Sequence, residues 1–241
     1  MMVSSSQQSV YSKLHFESRG DIAEILSTYA LSFVSHMSHP RLLDLGCGSG
    51  AVSIAALSKR DDLNAVALAT SAANVATARA AANKASVGHR LVAECSDYVV
   101  WRGGTFDLIV SDGVLQLIDT SDPELVRRLA ADLAPSGYLI ATIPYECWAN
   151  KGRILLRRMW RSLPSVADRL AMIVAQRLHP EFSSEFLAER LVYLRIEPVR
   201  LLNDQLLAEF ERHGLQLVEQ APWASPSAAK LDHKLVVWRK L

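Results

Sequence analysis

Apolar and polar positions follow two rhythms that take turns along this chain. Short apolar runs fall at residues 42–45, 63–68, 91–94, 106–110 and 138–143. Their length and the turn residues around them predict buried strands, the last entered through the turn Pro135-Ser136-Gly137. Between the runs, apolar residues recur at helical spacing. Ile22, Ile25, Leu26, Tyr29 and Phe33 predict a helix over 21–37. Further helices follow over 51–59 and from Ser71, a capping residue, to residue 85. Ser121 or Asp122 caps the next one, with Pro123 in its first turn and Glu124 reinforcing the start. Strands alternating with helices predict a parallel sheet covered on both faces. In such sheets ligands bind beyond the carboxyl ends of the strands, so Gly46, Ala69, Asp97 and Ser111 are expected to converge.

The rhythm breaks after residue 144, and no strand is predicted over 145–200. A helix over 151–163 carries Arg153, Arg157 and Arg161 on one stripe, with Leu155, Leu156, Met159, Trp160 and Leu163 largely opposite. Pro164 ends it, and Ser165 opens a second helix that stops near Pro180. The expectation is a buried apolar stripe and a solvated basic one. A lid over an amphipathic acceptor, or a transient membrane-surface contact, is the functional use such a segment would serve. Asn203 then caps a helix to His213, Gly214 stops it, and residues 215–218 and 234–238 read as two last strands.

Composition bounds this picture. Of 241 residues, half are hydrophobic and 21% charged, which suits one α/β domain with an insertion. Its parts would be a helical cover over 1–40, a core over 41–144, the insertion or lid over 145–200, and a closing helix and two strands over 201–241. The net charge of +1 argues against a dedicated nucleic-acid binder. Between residues 151 and 180, however, seven Lys/Arg face the single acid Asp168, a local charge of +6. Cys47, Cys95 and Cys147 form no CxxC pair, and no Asp/Glu/His cluster has metal spacing, so no metal is expected. The first twenty residues lack the apolar core of a signal peptide, and no run approaches the ~18 apolar residues of a membrane span. The cytoplasm is the expected location.

The chemistry concentrates in residues 41–50, RLLDLGCGSG. An apolar strand leads into Asp44, glycines fall at Gly46, Gly48 and Gly50, and a helix follows. Glycines allow a tight turn and close approach of a ligand to the backbone, and a helix N-terminus offers unpaired N–H groups. The motif DLGCGSG resembles the first motif of the class I S-adenosylmethionine-dependent methyltransferases, and later segments match that family in order to residue 144 and again near the C-terminus. The resemblance implies a Rossmann-like seven-stranded sheet with helices on both faces, a helical insertion after strand five, and S-adenosyl-L-methionine as cofactor. It implies that Asp44, Gly46, Cys47, Gly48 and Gly50 hold the methionine part, that Asp97 takes the adenine amino group with Tyr98 packed on the ring, and that Ser111 and Asp112 face the reacting centre. Tyr11, His15 and Phe16 would contribute to a cover over the cofactor.

One position departs from the family. An Asp or Glu usually grips the ribose hydroxyls at the end of the second strand, where this chain has Ala69. Thr70 and Ser71 could each bond a hydroxyl, but more weakly than a carboxylate. Losing a charged hydrogen bond costs ~1.5–3 kcal/mol, which relaxes binding without abolishing it. A nicotinamide dinucleotide is the rival cofactor, yet it wants an acid at the same place. A non-catalytic relative of the fold is the rival function. For a hydroxyl acceptor a base is needed, and Glu146, His233 and His179 are the candidates. The length and layout are similar to those of sugar and natural-product O-methyltransferases, including rhizobial enzymes that methylate fucose on lipo-chitooligosaccharide nodulation factors.

Overall fold

The computed structural model describes residues 20–164, 166–184, 187–188, 191, 194–223 and 231–241. The expectations for Tyr11, His15 and Phe16 lie outside them. Five strands follow the predicted runs: β1 (Arg41–Leu45), β2 (Asn64–Ala69), β3 (Leu91–Cys95), β4 (Phe106–Asp112) and β5 (Leu133–Pro144). With β6 (Leu215–Trp223) and β7 (His233–Lys240) they form one sheet in the order β3-β2-β1-β4-β5-β7-β6. The pairs among β1 to β5 are parallel, and β7 runs antiparallel to both β5 and β6.

The central strands read as unbroken apolar runs because both faces of the sheet are covered. Leu42 and Leu43 are neighbours in sequence, yet each is fully buried in a different core. Leu42 meets the core built by α1 (Gly20–Phe33), α2 (Ala51–Lys59) and α3 (Ala72–Lys84), through residues such as Leu26, Leu57 and Ala78. Leu43 meets the core built by α4 (Asp122–Asp132) and α7 (Asp204–Arg212), through Val126, Leu129 and Phe210. Between β5 and α7 in sequence lie α5 (Trp148–Ser162) and α6 (Val166–Leu178). Predicted caps are in place at Ser71, Ser121 and Asn203, each accepting from a backbone N–H three residues on.

Strands β5 and β6 differ in extent from the sequence expectation. Strand β5 leaves α4 directly at Leu133, so Pro135-Ser136-Gly137 lies within it. The register with β4 shifts between Phe106 and Leu108, and a bulge absorbs the extra residues. Gly137 is required there, since a Cβ would stand 2.9 Å from the Ala134 carbonyl oxygen. Strand β6 runs to Trp223, past the predicted residue 218, because it is an edge strand whose outward positions need not be apolar.

The insertion reverses its expected orientation. Arg157 is buried and donates to the Ile196 carbonyl at 3.1 Å. Arg153 pairs with Asp232, and Arg161 with Glu197. The basic stripe of α5 therefore faces the body of the protein, while Leu155, Leu156 and Met159 face out, Met159 at 60% exposure. A charged stripe can turn inward where carboxylates and unpaired carbonyls wait for it, and these come from segments distant in sequence. No helix among the described residues is long and apolar enough to cross a membrane.

Candidate cofactor and acceptor site

The loop after β1 is tied to the end of β2. The N–H groups of Gly46 and Cys47 both donate to the Leu68 carbonyl, at 2.8 and 3.0 Å. Gly46, Gly48 and Gly50 take φ values of 83°, 52° and 78°. Two of these glycines also answer to packing. A Cβ at Gly46 would stand 2.3 Å from Val114, and one at Gly50 would stand 2.9 Å from Ala78 on α3. Cys47 is a core residue whose thiol burial pushes well above its ordinary range, with Asp44 adding to the rise.

Asp44 is the electrostatic centre of the loop. Only 3% of it is exposed, and it accepts from the Ser53 hydroxyl and, at 3.2 Å, from the Ser53 N–H. No cation among the described residues pairs with it. Burial pushes its carboxyl up to about 6, the Ser53 bonds pull it back, and Asp112 adds repulsion. Strand alternation puts Asp44, Asp112 and Thr142 on the face of the sheet covered by α1 to α3. Asp112 accepts from the Thr142 hydroxyl at 2.6 Å. A buried carboxylate without a counter-charge fits a cationic ligand, because the cation repays the desolvation that holds its ionisation back. S-adenosylmethionine, with a sulfonium and an ammonium, is such a ligand. A dinucleotide would bring a pyrophosphate dianion toward two acids.

The remaining predicted positions divide. Ser96 N–H donates to the Ala69 carbonyl at 3.0 Å, which sets Asp97 beside the end of β2 and the exposed Thr70. Asp97 Oδ1 accepts from Val99 N–H at 2.9 Å, closing its own turn. Ser71 is buried and its hydroxyl oxygen caps α3, accepting from Asn74 N–H at 3.4 Å, so that oxygen is committed. Tyr98 is not presented to a ligand as the resemblance implied. Its ring is buried in the α4 core under the Arg128 guanidinium, and its hydroxyl donates to Asp132 at 2.8 Å. Ser111 is likewise misplaced for that role. Its side chain is fully buried, its Oγ has no hydrogen-bond partner among the described residues, and alternation puts it on the face opposite Asp112.

At the far end of the site, Glu146 and His233 flank the edge of β5 but face different surroundings. Glu146 lies in a cleft of 480 Å³ on the α7 side, lined by Tyr145, Trp148, Lys151, Asn203 and Lys234. Lys151 pairs with it at 2.5 Å and holds its carboxyl below the usual range, with help from Asn203. A carboxylate so stabilised is a poor base. His233 pairs in register with Pro144, which places its side chain on the face of Asp112 and Thr142. Its Nδ1 lies 2.6 Å from the Leu231 carbonyl, which can only accept, so Nδ1 carries the proton and Nε2 is the basic nitrogen of the neutral ring. His179 is exposed on the insertion and pairs with Glu181. Thr142 escaped notice in the sequence because it sits inside the apolar run of β5.

This arrangement, a buried acid behind a glycine loop on the first strand of a sheet closed by an antiparallel seventh, agrees with the comparisons. Residues 42–137 match the family model described as a methyltransferase domain. The fold is that of a class I methyltransferase. The matched domain type implies S-adenosylmethionine as cofactor, and the fit at Asp44 agrees with it. The release factor glutamine methyltransferase of Xylella fastidiosa (strain Temecula1) is 35% identical over 104 residues, 43% of this chain and 37% of that protein. The chain thus aligns with well under half the length of the curated relatives it matches. Among solved structures, the N-methyltransferase NodS from Bradyrhizobium japonicum WM9, in complex with S-adenosyl-L-homocysteine, superposes with a TM-score of 0.58 at 13% identity over 98% of this chain and 97% of that one. The [4+2]-cyclase SpnF superposes with a TM-score of 0.61 at 15% identity, over 94% of this chain and 85% of that one. These likenesses establish the fold of the methyltransferase domain. They do not reach its acceptor.

Proposed function

We propose that this methyltransferase acts on a hydroxyl of a small-molecule or glycan acceptor, in the cytoplasm. The bound cofactor supplies an activated methyl group on a sulfonium, so the chain has to align the acceptor, exclude water and take up a proton. The observation that carries the reading is His233, whose imidazole, oriented by the Leu231 carbonyl, lies on the face that also bears Asp112 and Thr142. There it can accept the hydroxyl proton as the oxygen is alkylated. Asp44 counters the cofactor's positive charge, and Asp112, held by Thr142, orients polar groups at the strand ends. A fucosyl group on a lipo-chitooligosaccharide is one acceptor of this class.

Transfer of a labelled methyl group from S-adenosylmethionine tests the proposal, with hydroxylated glycans and a glutamine peptide from a release factor as competing acceptors. Label on a glycan oxygen is expected. His233→Asn should lower kcat by ~10²-fold and remove the acidic limb of the pH–rate profile, with cofactor affinity kept. Label on the peptide amide, or an unaltered profile in the variant, overturns the hydroxyl reading. Ala69 favours a second reading, a binding or partner subunit on the same fold, and calorimetric silence toward S-adenosylmethionine would support that instead.

A further inference from the structure

The α5–α6 segment, two helices joined through Leu163 and Pro164, is amphipathic in the inverse sense. On the side turned from solvent, Arg153, Arg157 and Arg161 of α5 bond to Asp232, the Ile196 carbonyl and Glu197, while on α6 Asp168 receives Trp160 Nε1–H and Arg195 beside the half-buried Ala171, Met172 and Ala175. Its outward side is apolar. On α5, Trp148, Leu155, Leu156 and Met159 point to solvent, Trp148 at 90% exposure. On α6, Val166, Leu170, Ile173 and Val174 do the same, and no described residue of that helix is buried. Ion pairs and hydrogen bonds thus hold the two helices with their hydrocarbon outward, where each exposed side chain forgoes its burial energy.

Charge identifies the occupant. Arg177 lies within the outward stripe, one turn after Ile173 and Val174, and Arg169 borders it. No carboxylate among the described residues pairs with either, and the only acid of α5 and α6, Asp168, is turned inward. A second copy of this chain docked symmetrically would bring these arginines together with no acid on the face to receive them. An anionic bilayer surface offers what the face lacks. Hydrocarbon takes the leucines, the interface takes Trp148, and arginines extend along their own stems to lipid phosphates. We propose that the outward face of α5 and α6 binds the surface of anionic membranes peripherally, without insertion across them.

Flotation of the full-length protein with phosphatidylcholine vesicles containing a quarter phosphatidylglycerol tests this. Binding is expected to those vesicles and weakly to phosphatidylcholine alone, and high salt should reduce it. The double variant Leu170→Asp/Ile173→Asp and, separately, Arg169→Gln/Arg177→Gln should each weaken binding by about tenfold or more, with thermal midpoint and cofactor affinity retained. The emission shift that accompanies vesicle binding should shrink in Trp148→Phe. Absence of binding by the wild-type protein, binding indifferent to both double variants, or a solution dimer that Leu170→Asp/Ile173→Asp dissociates would each overturn the proposal.

Discussion

Asp44 concentrates the conflict between stability and function in a single carboxyl group. Its pKa is raised from the ordinary 3.8 to about 6 because burial disfavours the charge. A group of this kind binds more protons folded than unfolded between those values, so the ligand-free protein gains stability as pH falls through 6 toward 4. Above 6 the ionised group weighs against the fold by up to ~3 kcal/mol. Asp44→Asn is therefore expected to raise the thermal midpoint of the ligand-free protein at pH 7.5 and to weaken S-adenosylmethionine binding. Thermal melts across pH, with and without cofactor, check both; a lower midpoint in the variant would mean that the carboxylate is stabilised by its surroundings. Ala69 is the complementary case. It is buried at the end of β2, on the face shared with Asp44. Ala69→Asp should lower the ligand-free midpoint yet tighten cofactor binding by about tenfold, since a charged acceptor for the ribose hydroxyls is worth ~1.5–3 kcal/mol before its desolvation is subtracted. Calorimetry that finds weaker binding would show the strand end to be shaped for another contact.

Helix α5 shows how an element's orientation is decided by its neighbours. Its two stripes are plain in the sequence, but either could have faced the domain. The inward choice of the basic stripe rests on the buried Arg157 guanidinium at the Ile196 carbonyl, flanked by ion pairs to Asp232 and Glu197. Exposed pairs of this sort contribute little, whereas the buried donor matters because its loss leaves a carbonyl without a partner. Arg157→Met is expected to cost ~1–3 kcal/mol and to make the insertion a target for limited proteolysis before global unfolding. Equal protease resistance in wild type and variant would show that α5 is held by something else. The contrast with α7 is instructive: its apolar residues Leu206 and Phe210 turn inward, as the same pattern on α5 was expected to do.

Across the whole molecule, a division of labour follows the sheet. The face covered by α1 to α3 collects Asp44, Asp112, Thr142 and His233, the groups suited to a cation, an acceptor and a proton. The opposite face is sealed by α4 and α7 and buries Tyr98, Ser111 and Trp238. The insertion reaches back to this body through Arg200, which donates to Asp122 at 2.7 Å and to the Leu115 and Thr120 carbonyls. The segment that carries α5 and α6 is thereby tied to the loops that follow β4.

The strands, the helices and the glycine loop were legible in the sequence because each depends on neighbours within a few residues: period, caps and turns are local physics. Two adjacent leucines at 42 and 43 already announce a strand buried on both sides. The acid before the glycines and the absent acid at Ala69 were legible for the same reason. What the sequence left open was every choice between two faces. Tyr98 and Ser111 sit at the right height in the chain, but Ser111 is one residue of alternation away from the ligand side, and Tyr98, in the turn after β3, folds into the α4 core. Glu146 and His233 are equal candidates for a base in the sequence; in the fold Lys151 pairs with the first and the Leu231 carbonyl pins the imidazole of the second. The arginines of α5 turned inward because Asp232, Glu197 and Ile196 stand some forty to eighty residues further along the chain. Local propensity decides what an element is; which way it faces depends on partners that only the folded chain brings within hydrogen-bonding distance.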